Sequence, residues 1–306
     1  MNLNAYSKLI QLKGHSGSVY ALENGMEPHL FFSAGGDFFV VQWNLQTLDA
    51  GEVIVKAPAI IYSLRLIPSQ NTLLIGTATG GFHVIDLNTR KEIRLLQYHQ
   101  QGIFDIQYSE KNNLLVLAAG DGVISLCRLS DFSLIKQIKL CDQKLRSVTF
   151  NSSENKIAVG CGDGKVVLIS IENLSVENSI QVHKENWSCN TVKFLSDQLL
   201  LSGGRDAIMN VIAIEDNNLV VSEIIAAHNY AIYDIKLSPD GNYFATASRD
   251  KSIKIWHTKN YQFIQKLDAE KSGGHINSVN KILWSPYHEY IISGSDDRSL
   301  MVWEHA

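Results

Sequence analysis

His15, Ser33 and Asp37 carry the three side-chain types of a nucleophilic triad: a hydroxyl to attack, an imidazole to take its proton, a carboxylate to orient the imidazole. Hydrolysis is the chemistry such a set would perform. The set, however, recurs. His228, Thr246 and Asp250 repeat its separations of 18 and 4 residues, as do His275, Ser293 and Asp297. His183, Ser202 and Asp206 repeat them with one extra residue between the first two. Trp43, Trp256 and Trp303 follow the aspartate by six residues in three of the four sets. One enzyme has no use for several copies of a triad, so the recurring set reads as structure.

The elements that must position these residues are repeated too. Asp37, Thr79, Asp121, Asp163, Asp206, Asp250 and Asp297 hold one place in seven successive segments, at steps of 42, 42, 42, 43, 44 and 47 residues. A strand-rich period of roughly 40–45 residues predicts β-propeller blades, hence an all-β fold. The sixth segment is the clearest. Ile232 to Leu237 alternate as a strand, and Ser238-Pro239-Asp240-Gly241 is a turn, with Pro presetting φ and Gly accepting φ > 0. Tyr243–Ala247, Ser252–Trp256 and Tyr261–Leu267 complete four antiparallel strands. Such a sheet has two apolar faces, so neighbours must stack.

These residues resemble the WD-repeat β-propeller family, whose motif runs Gly-His, Ser/Thr, Asp, Trp and often Asp. The resemblance covers about residues 6 to 304. No literal Trp-Asp pair occurs; Trp43-Asn44, Trp303-Glu304 and Ile85-Asp86 come nearest. Gly14-His15 and Gly274-His275 keep the Gly-His pair, whereas His99, His183 and His228 lack the Gly. The resemblance implies a buried hydrogen-bond chain in each blade, from Asp to His to hydroxyl to indole. Degenerate segments replace its polar members by apolar ones: Ala57, Ile75, Thr79 and Ile85 in the second, Cys141, Val159, Asp163 and Ile169 in the fourth. The third is mixed, with His99 and Asp121 but Leu117 and Cys127. The last segment ends after its third strand, and Ser7 to Leu12 read as a fourth strand with none before it. The two predict one closed domain over residues 1–306, seven-bladed, without exposed sheet edges.

Composition narrows the function. Residues of the apolar types make up 45% of the 306, and 27 basic against 31 acidic residues are well mixed. A non-specific nucleic-acid binder would show a basic excess. The first residues lack the pattern of a secretory signal, and no run approaches the roughly 20 apolar residues of a membrane span. The expected location is cytoplasmic. Cys127, Cys141, Cys161 and Cys189 form no CxxC pair and fall at core-like places, so they read as reduced, buried thiols. No cofactor or metal motif is present.

Partner-binding candidates follow from register. Seventeen residues before each marker stand Tyr20, Tyr62, Phe104, Arg146, Tyr233 and Asn280, with Asn190 as the equivalent in the fifth segment. The family resemblance places this ring beside the central channel on the partner-binding face. Aromatics there suit peptide or protein recognition. Arg205 and Arg249 precede their markers and, with Arg146, would grip an acidic or phosphorylated segment. Trp187 lies outside the core register as a further contact. The expected function is a non-catalytic protein-interaction scaffold, a subunit of a larger complex. The alternative is an enzyme or metal-dependent hydrolase at the channel, for which only Asp105 and Asp234 offer acids.

Overall fold

The structure is a computed structural model that describes residues 6–216 and 218–305. Twenty-eight strands among the described residues form seven four-stranded sheets, six of consecutive strands and one closed by the first strand of the chain. The sixth sheet follows the predicted order, with strands Ile232–Leu237, Tyr243–Ser248, Ile253–His257 and Phe263–Leu267. Its last strand is shorter than expected because Tyr261 takes a positive φ of 55° within the preceding turn.

The marker aspartate has a local cause. All six marker aspartates accept a hydrogen bond from the backbone N–H two residues on, at Phe39, Val123, Lys165, Ile208, Ser252 and Ser299, over 3.0–3.3 Å. The residue between them has φ of 66° to 93° in all seven copies: Phe38, Gly80, Gly122, Gly164, Ala207, Lys251 and Arg298. The carboxylate thus holds a tight turn whose second residue is left-handed. Gly122 is obligatory, since a Cβ there would lie 2.0 Å from the Cys141 carbonyl oxygen.

The chain forms two compact units: residues 6–75, 83–94 and 233–305, and residues 76–82 and 95–232. In the first unit, Leu22, Phe31 and Trp43 of the first sheet share a core with Leu283, Ile292 and Val302 of the seventh. In the second, Val116 and Leu126 of the third sheet pack with Val148, Val159 and Ile169 of the fourth. Fourth strands are the exposed ones, as Lys91–Gln97 shows.

The predicted closing strand is present as Tyr6–Lys13, paired antiparallel with Ser299–His305 from Tyr6↔His305 to Lys13↔Ser299. Tyr6 is buried and meets Trp284 edge-on at 5.9 Å. The Gln265 side chain brackets it: Tyr6 N–H donates to Oε1 (2.7 Å), and Nε2 donates to the Tyr6 carbonyl (2.8 Å). No helix among the described residues is long and apolar enough to cross a membrane.

Candidate partner-binding site

The triad-like sets settle first, because they position what surrounds them. In the seventh sheet His275 Nδ1 lies 2.8 Å from Asp297, His275 Nε2 lies 2.8 Å from Ser293 Oγ, and Trp303 Nε1–H donates to that oxygen at 3.0 Å. His15, Asp37, Ser33 and Trp43 repeat the arrangement at 2.8, 2.6 and 2.7 Å. The indole donates to the hydroxyl, the hydroxyl to the imidazole, the imidazole to the carboxylate. Ser33 and Ser293 are wholly buried, so no substrate carbonyl reaches them. Burial alone would raise the Asp297 carboxyl, but His275 and Ser299 hold it down at about 2. In the sixth sheet Trp256 Nε1–H donates to Thr246 Oγ1 at 3.0 Å.

Two sets depart from expectation. His99 bonds Asp121 (3.0 Å) and, through Nε2, Ser125 Oγ (2.8 Å), while Gln137 Nε2 donates to the same oxygen at 3.0 Å. Ser125 and Gln137 therefore take the parts expected of the residues at Leu117 and Cys127. Burial pushes the His99 imidazole below its ordinary value despite Asp121. In the fifth sheet the expected His183–Ser202 link is absent. His183 Nδ1 lies 3.0 Å from Asp206, yet His183 Nε2 and Ser202 Oγ are buried without hydrogen bonds. Asn210, paired across strands with Ser202, instead donates from Nδ2 to the Val182 carbonyl at 2.8 Å.

The two inner-strand acids are structural. Asp105 accepts from Val148 N–H at 2.9 Å, and Asp234 from Ile282 N–H at 3.0 Å and Lys281 Nζ at 3.2 Å. Each ties its own innermost strand to that of the next sheet, so neither stands as a spare acid for channel chemistry.

The predicted binding residues divide among the two units. In the first, Tyr20 and Tyr62 are half-buried with ring centroids 5.7 Å apart. Tyr233 is half-buried and Arg249 exposed. Asn280 Nδ2 donates to the Val19 carbonyl at 3.1 Å and to Asp296 at 2.7 Å, a tie between sheets. Asn190, in the second unit, is buried and donates to the Ile232 carbonyl at 2.8 Å. These amides serve the framework.

Phe104, Arg146, Trp187 and Arg205 lie in the second unit, and there each aromatic carries two cations. Arg146 Cζ and Lys144 Nζ sit 5.2 and 5.4 Å from the Phe104 centroid. Lys184 Nζ and Arg205 Cζ sit 5.1 and 5.7 Å from that of Trp187. A cleft of about 320 Å³ is lined by Gln143, Lys144, Arg146, Asn186, Ser188 and Arg205, with Asp142 as its one acidic lining residue. Trp187 is 37% exposed and held by a tight turn: its N–H donates to the Lys184 carbonyl at 2.8 Å, and Asn186 has φ 63°. Lys184 N–H in turn donates to Asp206 at 3.3 Å, so the His183–Asp206 pair anchors the loop that presents Trp187. Burial raises the Asp206 carboxyl, and hydrogen bonds from His183, Ile208 and Lys184 outweigh it and leave it lowered. The sequence reading missed Lys144, Lys184, Gln143 and Asn186. The usable signal was the two lysines each lying two or three residues from a candidate aromatic or arginine.

Comparison with known proteins agrees with this architecture. The model of the anaphase-promoting complex subunit 4 WD40 domain matches residues 106–197, and that of the WD domain, G-beta repeat, matches 220–257 and 263–304. The chain is 30% identical to Protein HIRA of Dictyostelium discoideum over 120 residues, 34% of this chain and 11% of that protein. It is 31% identical to a chromatin assembly factor 1 subunit of Gallus gallus over 134 residues, 37% of this chain and 23% of that protein. The chain thus matches under a quarter of the length of these relatives. The crystal structure of the WD40 β-propeller domain of Doa1 superposes with a TM-score of 0.85 at 17% identity, covering 99% of this chain and 98% of that one. The fold is a β-propeller, and the seven sheets are its blades.

Proposed function

We propose that this chain, which belongs to the WD-repeat β-propeller family, is a non-catalytic interaction scaffold that binds an acidic segment of a protein partner on blades three to five. The observation that carries the reading is the cleft lined by Lys144, Arg146 and Arg205, cations that stack on Phe104 and Trp187, on a chain of net charge −4. Interface energy concentrates in Trp, Tyr and Arg. Ring-stacked guanidinium groups are already oriented, and a guanidinium binds carboxylate or phosphate bidentately. The braces of the first, third and seventh blades are closed hydrogen-bond chains, and Asp105 and Asp234 are tied to backbone, which favours a scaffold over a hydrolase. The partner is a protein bearing an acidic or phosphorylated stretch, not nucleic acid or membrane, and the chain works as a subunit of a larger assembly. Two of its similarities are to subunits by name, in the anaphase-promoting complex and in chromatin assembly factor 1. Tyr20, Tyr62, Tyr233 and Arg249 are assigned as further contacts.

Affinity capture from cell extract at low and high salt tests this. Trp187→Ala should lose partners at both salts. Arg146→Ala and Arg205→Ala should weaken capture in a salt-sensitive way, with the deficit against wild type largest at low salt, where the guanidinium charge is least screened. If all three variants and Tyr62→Ala retain every wild-type partner, the binding face lies elsewhere. Cytoplasmic placement is part of the same reading, and a tagged chain concentrated in the nucleus would remove that part alone.

A further inference from the structure

We propose that Cys141, Cys161 and Asp163 form a binding site for one thiophilic divalent metal ion of the zinc class, next along the chain to residues that line the cationic cleft. The two Sγ atoms and a carboxylate oxygen all lie within 4.8 Å of one another. A tetrahedral zinc site with Zn–S near 2.3 Å places its sulfurs about 3.8 Å apart, so a small contraction suffices. Two thiolates and a carboxylate are also the donor set that selects zinc over magnesium or calcium.

The position of the cluster in the repeat is what sets it apart. Cys141 stands 22 residues before Asp163, the separation of His15 from Asp37, His99 from Asp121 and His275 from Asp297. Three blades there set an imidazole against the aspartate. The fourth blade sets a thiol there and adds a second, Cys161, at the end of the strand Lys156–Cys161. Cys161 is fully buried; Cys141, contrary to the core-like reading, is only half-buried and open to an incoming ion. Its Sγ–H donates to the Gln143 carbonyl at 3.1 Å, a weak bond that metal binding would replace.

Charge is accommodated as well. Two thiolates, one carboxylate and a divalent cation leave one negative charge. Lys165 Nζ, 3.1 Å from Asp163 Oδ2, offsets it. Asp142, Gln143 and Gly162, chain neighbours of the three ligands, line the cleft. An ion here would steady these neighbouring residues, although the site does not depend on what the cleft binds.

The test is titration of the reduced full chain with Co²⁺ under anaerobic conditions. A thiolate-to-cobalt charge-transfer band should appear, saturate at one ion per chain and vanish on adding Zn²⁺. Cys141→Ser and Cys161→Ser should each abolish the band, with circular dichroism confirming the fold. Asp163→Asn should keep sulfur ligation but shift the visible bands and raise the half-saturation concentration. Cys141 is half-buried, so its serine variant serves if the Cys161 variant does not fold. No charge-transfer band in the wild type overturns the proposal. So does a band that survives in both folded cysteine variants.

Discussion

Leu117 and Ser125 face each other across the second and third strands of the third blade, and the hydroxyl that belongs to the brace sits on Ser125. In the first and seventh blades the equivalents of Leu117, Ser33 and Ser293, carry it. The network has kept its hydroxyl and exchanged the strand that supplies it. Ser125→Ala would strand His99 Nε2 and remove one of the two acceptors of the Gln137 amide, so it should destabilise by about 1–3 kcal/mol. Chemical denaturation of the purified variant measures this. A shift no larger than that of an exposed Ser152→Ala control would show the link to be idle.

The seventh-blade brace predicts a pH response. The folded Asp297 carboxyl is held at about 2, below the unfolded value of about 3.9. A depressed carboxyl contributes stability that is fully present above the unfolded value and lost as pH falls towards the folded one. The urea midpoint should therefore drop between about pH 4 and pH 2, and Asp297→Asn should flatten part of that drop. His275→Ala should cost about 1–3 kcal/mol near neutrality by removing the buried link between Ser293 and Asp297.

Closure rests on Tyr6. Tyr6→Ala removes a buried ring packed on Trp284 and should cost about 3–5 kcal/mol, as large aromatic truncations do. Deleting residues 1–12 should go further, exposing Ser299–His305 as an edge and broadening the unfolding transition. Differential scanning calorimetry with light scattering reports both. An unaltered melting temperature and monomeric behaviour in the truncated chain would argue decisively against closure.

The marker turns respond oppositely to substitution in different blades. Gly122→Ala forces a Cβ to within 2.0 Å of the Cys141 carbonyl at φ 75°. It should cost more than the roughly 1–3 kcal/mol of a strained backbone alone. Lys251→Gly relieves an unfavourable φ of 70° and loosens the unfolded chain, so its net effect should stay within about 1 kcal/mol. Paired denaturation curves decide it; equal effects from the two would contradict the turn geometry.

Blade number, marker register, closing strand and the braces of the first and seventh blades were legible in the sequence because each follows from the repeat. An aspartate that caps the backbone two residues on leaves a fixed signature, and so does a strand of one blade split between the chain ends. What was not legible is contact that the repeat register does not mark. Asp105 and Asp234 looked available for a cation, yet each caps a backbone N–H 43 or 48 residues further on. Ser125 became visible only once the strands were paired. The unmade His183–Ser202 link lies in a blade whose first loop has one extra residue, and spacing cannot report ring orientation. Lys144 and Asn186 flank strands and carry no periodic mark.

Tyr6 and His305 are register partners at one extremity of the Tyr6–Lys13/Ser299–His305 pair. Force applied between these two residues would peel the pair rung by rung, instead of shearing all its rungs together. Under such tension this strand pair is the ripcord of the seventh blade, and its first rung carries the load before any other.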